Sequence, residues 1–542
     1  MSTRPAGSVD AVVIGAGHNG LVAAALLADA GWDVLVLDAQ AEPGGAVKSA
    51  ELMPGYISDL YSAFYPLSVA SPALRELHLE DHGLRWTHAP AVVGHARNAT
   101  DDDAAVIYRD IDRTALELDR CHRGDGQRWC ELFEQWQRIK APLLDTLFAP
   151  FPPVRGPAGL LRGLGTAEAL RLLHLLLLPA GVMAEHLFGG EAARLLLLGN
   201  AMHADVPIDA PASGVMGFLL TMLAQDGGFP VPVGGAGQLA AAMVRRAESA
   251  GARVECGRAV TAIEVSGDRA TAVRTADGAT IRCRRAVIAD TSAPQLYQHL
   301  LPSDALPTAL RRGLDRFVWD TPVLKINYAL DAAIPWRSTN LGGAGTVHLG
   351  ADHDGLIRWM ADLNTRTVPQ RPFMLFGQMT TADPSRSAPG TESAWAYTHL
   401  PRGRADDDSA ERLAEHVDRV LEEHAPGFTG HIVGKTTQRP SDLERGDVNL
   451  YTGAVNGGTS QLFQQLIFRP APGLGRAETP LQNVFLGSAG ASPGGGVHGV
   501  CGRNAARAAL AADGARGWPR RQINRAVSRL LLQERNRHVR PG

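Results

Sequence analysis

The stretch AVVIGAGHNGLVAAALLADAGWDVLVLD, residues 11–38, decides the fold. Ala11-Val12-Val13-Ile14 is a short unbroken apolar run, as a parallel strand buried on both faces requires. Gly15-Ala16-Gly17-His18-Asn19-Gly20 follows at once. Residues 21–30 read as a helix closed by Gly31, and residues 33–37 repeat the strand signal before Asp38. In this setting Gly15 permits a tight turn, Gly17 lets backbone approach a pyrophosphate, and Gly20 lets helix and strand pack closely. The helix N-terminus offers N–H groups and a positive dipole end to phosphate. Ala16 and Asn19 are counted with the glycines as cofactor contacts. Asp38 stands where a carboxylate accepts ribose hydroxyls. A bound dinucleotide is expected.

Working outward, the chain has 542 residues, 45% apolar and 20% charged, enough for a large core and too apolar for wholesale disorder. Glycine is unusually frequent, at 59 residues, which suits backbone that must approach something closely. A net charge of -3 argues against nucleic acid as a partner. Lysine occurs only at 48, 140, 325 and 435, so each is conspicuous. The five cysteines form no C-x-x-C and no zinc spacing, so no metal is expected and a reducing compartment is. The N-terminus lacks the pattern of a secretory signal. Residues 172–184 are the most apolar stretch but are too short to span a bilayer. A cytoplasmic protein is expected, with peripheral membrane contact an open alternative.

Further pieces of an α/β nucleotide-binding unit lie far downstream. Residues 237–250 read as a helix; 253–255, 259–265, 270–275 and 281–288 read as strands, with Asp268 and Asp277-Gly278 as turns. Asp290-Thr291-Ser292 closes the last of these. Residues 484–488 form a strand leading into Gly490-Ala491-Ser492-Pro493-Gly494-Gly495-Gly496-Val497-His498-Gly499 and an Ala-rich helix from Arg503 to Ala512. The expected division is therefore 1–75, 227–299 and 481–515 in the nucleotide-binding domain. Segments 76–226 (helical, Leu-rich) and 300–480 (sheet plus helices) form a substrate domain, and 516–542 a basic tail.

VVIGAGHNGLVAA (12–24), PGY (54–56), DTPVLKINYAL (320–330), APGF (425–428), PSDLER (440–445) and GSAGASPGGGVHGVCGRNAA (487–506) together resemble the flavin-dependent phytoene desaturase-related oxidoreductases. The nearest resemblance is to the family of pyridine nucleotide-disulfide oxidoreductase domain-containing protein 2. The pieces span residues 10–512. No redox cysteine pair follows the first helix, so the disulfide part of that name has no counterpart here. The resemblance implies a Rossmann-like FAD-binding domain of the glutathione reductase and amine oxidase type, threaded through an α+β substrate domain, with FAD bound non-covalently. It implies a second phosphate-contacting turn at Gly44-Gly45-Ala46, where the family usually carries Arg in place of Ala46. It further implies cofactor contacts at Val260, Gly487, Gly495, Gly496 and Val497, with segment 487–499 running along the isoalloxazine. A helix starting near Gly499 would aim its positive end at the flavin N1/C2=O edge.

For catalysis, strand period places Lys325, Asn327 and Ala329 on one face. The segment resembles the flavin amine oxidase strand whose lysine holds a water at flavin N5; a solvent-facing strand lysine is the competing reading. His498 is the second candidate, either touching flavin or substrate or serving as a structural histidine. Asp59, Tyr61, Ser62, Tyr65 and Pro66 run either towards the flavin and substrate or into an aromatic core. Residues 160–198 line a greasy pocket, face a membrane, or simply pack.

No serine-hydrolase elbow, Walker A or H-E-x-x-H motif occurs, and the glycines at 234–237 and 342–345 complete no second fingerprint, so no separate NAD(P)H domain is expected. The tail carries eight Arg and one Glu, with Ile523, Val527, Leu530 and Leu531 on one helical face. It docks on the protein's own acidic body, on an anionic membrane, or on a second subunit in a homo-oligomer. The expected activity is a flavin-dependent dehydrogenase or desaturase moving a hydride from a substrate C–H to flavin N5. The substrate is small and apolar, of isoprenoid or acyl type, and O2 or a quinone is the acceptor. An isomerase or C=C reductase, and a flavin-bound scaffold with little turnover, are the alternatives.

Overall fold

The computed structural model describes residues 7–532. Five parallel strands lie side by side in the order Val484–Leu486, Thr280–Ala289, Ser8–Ile14, Val34–Leu37, Arg253–Glu255. The first half of Thr280–Ala289 instead pairs antiparallel with Arg269–Thr275, which pairs with Val260–Ser266. One sheet is thus assembled from three distant stretches of chain. Helices His18–Asp29, Ala236–Ser249 and Val500–Ala512 cover one face; small residues at Ala23, Ala24, Ala505 and Ala509 let them sit close.

The second sheet runs Ile432–Gln438, Val323–Leu330, Glu392–His399, Met374–Gln378, Ala344–Leu349, Ala91–His95, Ala105–Ile107. It is antiparallel except where Ala344–Leu349 meets Ala91–His95. Helix Asp407–His424 packs its apolar stripe on one face. Helices Glu191–Ala201 and Gly214–Asp226 cover the other. Strand Val323–Leu330 is therefore buried along its whole length.

The Leu-rich region divides. Leu195 to Leu198 are core, whereas Leu161, Leu170, Leu173 and Leu177 of helix Arg155–Leu177 are exposed. No helix of the described residues is long and apolar enough to cross a membrane. Among them, no cluster of His, Cys, Asp or Glu could hold a metal ion.

The tail helix, Trp518–Leu532, binds the body through its cations: Arg520 meets Glu478 at 2.5 Å and Arg525 meets Asp268 at 2.8 Å. Its apolar residues Ile523, Val527 and Leu530 are exposed, as is Leu531 in part, which lies beside Gly473. Residues 533–542 of the tail lie outside the described residues.

Candidate active site

The site begins at the carboxyl ends of the parallel strands, where loops of an open α/β sheet meet. Helix His18–Asp29 starts directly after Gly17. The Ala16 N–H donates to Asp38 Oδ2 at 2.6 Å and the Gln40 N–H to Asp38 Oδ1 at 2.8 Å. Asp38 therefore holds the turn in shape, and each oxygen keeps a lone pair for a ribose hydroxyl.

The glycines are demanded by contact. A Cβ on Gly15 would lie 2.6 Å from the Asp290 carbonyl, and one on Gly20 would lie 2.2 Å from the Gly15 carbonyl. A Cβ on Gly17 would lie 2.6 Å from Asp290 Oδ2. Gly17 thus yields space to a side chain as well as to a ligand. Asp290 Oδ2 also accepts the Gly20 N–H at 2.8 Å. Burial raises this carboxyl to a pKa of about 8, with Asp447 and Asp38 adding to the effect against the opposing Gly20 hydrogen bond. Neutral at pH 7, it presents no net charge to a phosphate.

The second glycine turn lies on the first. The Gly44 N–H donates to Ala16 O at 2.8 Å, and a Cβ on Gly45 would come within 3.2 Å of Gly17 Cα. Ala46 O accepts from Ser62 Oγ at 2.7 Å. The Gly257 and Arg258 N–H groups donate to Gln40 O and Asp38 O, bringing the strand that starts at Val260 alongside Asp38. The Gly487 N–H donates to Ala289 O at 2.8 Å, and Asn19 packs under Gly502. Such a glycine cradle with a neutral carboxyl beneath it fits a dinucleotide diphosphate.

Beside the cradle opens a cavity of about 310 Å³. Ala46 and the strip Gly495-Gly496-Val497 form one wall, and Phe64, Leu67, Met216, Leu220, Phe229 and Leu375 much of the rest. Lys325, Tyr61, Tyr65, Trp395, Tyr397, His18 and His203 also reach it. No carboxylate lines it among the described residues.

Lys325 is 2% exposed, so its strand face is a cavity wall and not a solvent face. Its Nζ donates to the carbonyls of Asp59 and Tyr61, and sits 5.5 Å from the Trp395 ring centre. Burial lowers its pKa to about 7; Asp59 opposes that shift and Arg386 adds to it. Asp59 is clamped by Arg386, accepts from Ser49 Oγ at 2.7 Å, and accepts the Ala236 N–H at 2.8 Å. One carboxylate thus fixes a helix start, a buried guanidinium and, through its main chain, the lysine.

His498 takes a different place from the one considered for it in catalysis. Its Nδ1 accepts the Val500 N–H at 3.1 Å, its ring lies 5.6 Å from Phe148, and it stands behind the cavity wall. Burial holds it neutral, at about 3. The glycine at 499 turns helix Val500–Ala512 inwards with φ at +68°. That directs the His498 ring back onto its own helix start. His18, inside the first glycine turn, is on the wall together with His203, and burial lowers it to about 4.

Sequence reasoning missed Trp395, Tyr397, His203 and Arg386. The first two were accessible: Trp395, Tyr397 and His399 alternate with small residues on the strand that pairs with Lys325. Arg386 and His203 lie in irregular chain and give no periodic signal.

Comparison with known proteins agrees with this geometry. The model for flavin containing amine oxidoreductase matches residues 20–510. The chain is 28% identical over 547 residues to pyridine nucleotide-disulfide oxidoreductase domain-containing protein 2 of Mus musculus, covering 92% of each chain. It is 26% identical over 503 residues to the zeta-carotene-forming phytoene desaturase of Myxococcus xanthus, covering 90% of each. An oxidoreductase structure from Methanosarcina mazei shares the fold, with a TM-score of 0.61 at 16% identity over 92% of this chain and 99% of that one. The chain belongs to the flavin-containing amine oxidoreductase family and is a flavin-dependent oxidoreductase.

Proposed function

We propose that the protein is an FAD-dependent dehydrogenase or desaturase acting on an uncharged, apolar substrate of isoprenoid or acyl type. The observation that carries this reading is the composition of the cavity. An ammonium substrate would enter a wall that offers no carboxylate, and an unpaired buried charge is strongly disfavoured. A C–H to be oxidised on an apolar skeleton meets no such cost. The phytoene desaturase among the relatives supports the same class of reaction.

When bound, FAD supplies the hydride-accepting centre. The residues do the remainder. Gly15 to Gly20, Gly44 to Ala46 and Asp38 would hold the dinucleotide, with Val260 near Asp38. Gly487 sets the path of the strip at 495–497, which forms the wall on the cofactor side. Aromatic residues Phe64, Trp395 and Tyr397 exclude water and orient the substrate. Lys325, with two hydrogens engaged by main-chain carbonyls and a pKa of about 7, can hold a water or take a proton at Nζ. The acceptor proposed for the overall oxidation is O2 or a quinone. The outward apolar stripe of the tail helix supports a peripheral membrane contact, where such substrates dissolve.

The test is a visible spectrum of purified protein before and after boiling. Bands at about 450 nm that pass to the supernatant are expected, followed by anaerobic bleaching with apolar candidates. A protein colourless even after added FAD would refute the reading.

A further inference from the structure

Beneath helix Glu191–Ala201, strands Ala91–His95 and Ala344–Leu349 set His95 opposite His348, two residues from Thr346. The surrounding interface is apolar, with Leu195, Leu196 and Phe373 in it. Four buried polar atoms there have no hydrogen-bond partner: Thr346 Oγ1, His348 Nδ1, His95 Nδ1 and Asn200 Oδ1. A buried polar atom left without a partner is costly. The helix crosses directly over the two rings, since a Cβ on Gly199 would lie 2.1 Å from His348 Nδ1 and 2.6 Å from His95 Nδ1.

This polar line runs to the cavity. His348 Nε2 lies 3.0 Å from His203 Nε2, and both His203 and Thr346 are on the cavity wall. Burial keeps His203 neutral, at about 4, and lowers His348 further still. Two neutral imidazoles at that distance share one hydrogen between their Nε2 atoms. His203 Nδ1 is then either a bare lone pair or an N–H, and among the described residues it has no partner. A hydroxyl satisfies both forms, because it donates and accepts. A carbonyl satisfies one, and a hydrocarbon neither.

We propose that His203, backed by His348, is a hydrogen-bonding subsite in the otherwise apolar cavity, and that the ligand it takes is an uncharged alcohol with an apolar body. This rests on the apolar-substrate reading above and narrows it. A pure hydrocarbon leaves the free nitrogen of His203 without a partner.

The test uses the full-length, FAD-loaded protein and two probes of one skeleton, 4-isopropylbenzyl alcohol and 4-isopropyltoluene. Binding is read from the flavin spectrum and from the fluorescence of wall residue Trp395. The alcohol is expected to bind about tenfold more tightly, the worth of one neutral hydrogen bond to a waiting partner. His203→Phe should abolish the preference and His203→Gln should keep most of it. His203→Leu replaces the Phe variant if that one does not retain the 450 nm band. Equal binding of the two probes to the native protein, or a preference that survives in His203→Phe, overturns the inference and leaves the apolar cavity intact. Binding of neither probe overturns the apolar reading and this inference with it.

Discussion

Lys325 donates to the main-chain carbonyl of Asp59, while the Asp59 carboxylate is gripped by Arg386 at 3.0 and 3.1 Å. The lysine is thus positioned by a residue whose carboxylate is shared with a guanidinium, and Arg386 offsets part of the attraction that carboxylate exerts on the ammonium. Replacing Lys325 by Met should leave flavin content unchanged and slow substrate bleaching of the flavin by about a hundredfold or more. It should also remove a pH dependence of stability. The folded pKa is about 7 against 10.5 for the free group. The unfolded chain therefore binds the extra proton between those values, and native stability rises with pH across that window. Urea titrations at both ends should show the rise in the native protein and none in Lys325→Met.

Asp290 predicts the opposite slope. Its folded pKa is about 8 against 3.8 for the free group, so the folded state holds the proton through that range. This contribution is complete below the free value and is lost as pH rises through the folded one. Asp290→Asn keeps the oxygen that accepts the Gly20 N–H and cannot ionise. Its stability should vary less between pH 4 and pH 8, and at pH 8 it should exceed the native protein by a few kcal/mol, an order-of-magnitude figure for a shift of this size. Denaturant midpoints measured across the range decide the matter.

The glycines of the first turn separate by what they touch. Gly17→Ala meets the side chain of Asp290, whereas Gly20→Ala meets the carbonyl of Gly15. Both should lose flavin and melt earlier. Adding Asp290→Ser should restore much of the melting temperature of Gly17→Ala and little of that of Gly20→Ala, whose Cβ also lies 3.0 Å from Asp290 Oδ2 but meets the Gly15 carbonyl at 2.2 Å.

These residues also mark how far the sequence could be read. Residues 11–38 carry their structure locally, in apolar runs and a glycine spacing that one sheet and one helix satisfy, so turn and strands were legible. Lys325 shows the limit. Period two told which residues share its face, but whether that face meets water depends on helices and loops packed from elsewhere in the chain. His498 shows the same limit: its two readings stay open in the sequence, because contacts with Phe148 and with the start of its own helix decide where its ring goes, and composition is silent about that. Asp290 was visible as the end of a strand, yet its bond to Gly20 is a contact across 270 residues.

The tail helix inverts the usual arrangement, and this yields a last prediction. Its Arg520 and Arg525 are engaged by Glu478 and Asp268, while Leu530 is 81% exposed with Ile523 and Val527 beside it. An apolar stripe kept in water contributes nothing to folding, so Ile523→Glu with Leu530→Glu should change stability by no more than about 0.5 kcal/mol. The stripe is flanked by Arg529, and the sequence adds Arg535, Arg537 and Arg540 beyond it. Apolar insertion joined to basic charge is what holds a helix on an anionic bilayer. The full chain should pellet with phosphatidylcholine vesicles containing phosphatidylglycerol and release as salt is raised, and the double variant should stay in the supernatant. Pelleting that survives in the double variant would assign the contact to another face. A native protein that ignores the vesicles but dissociates into monomers on this substitution would mark the stripe as a subunit interface.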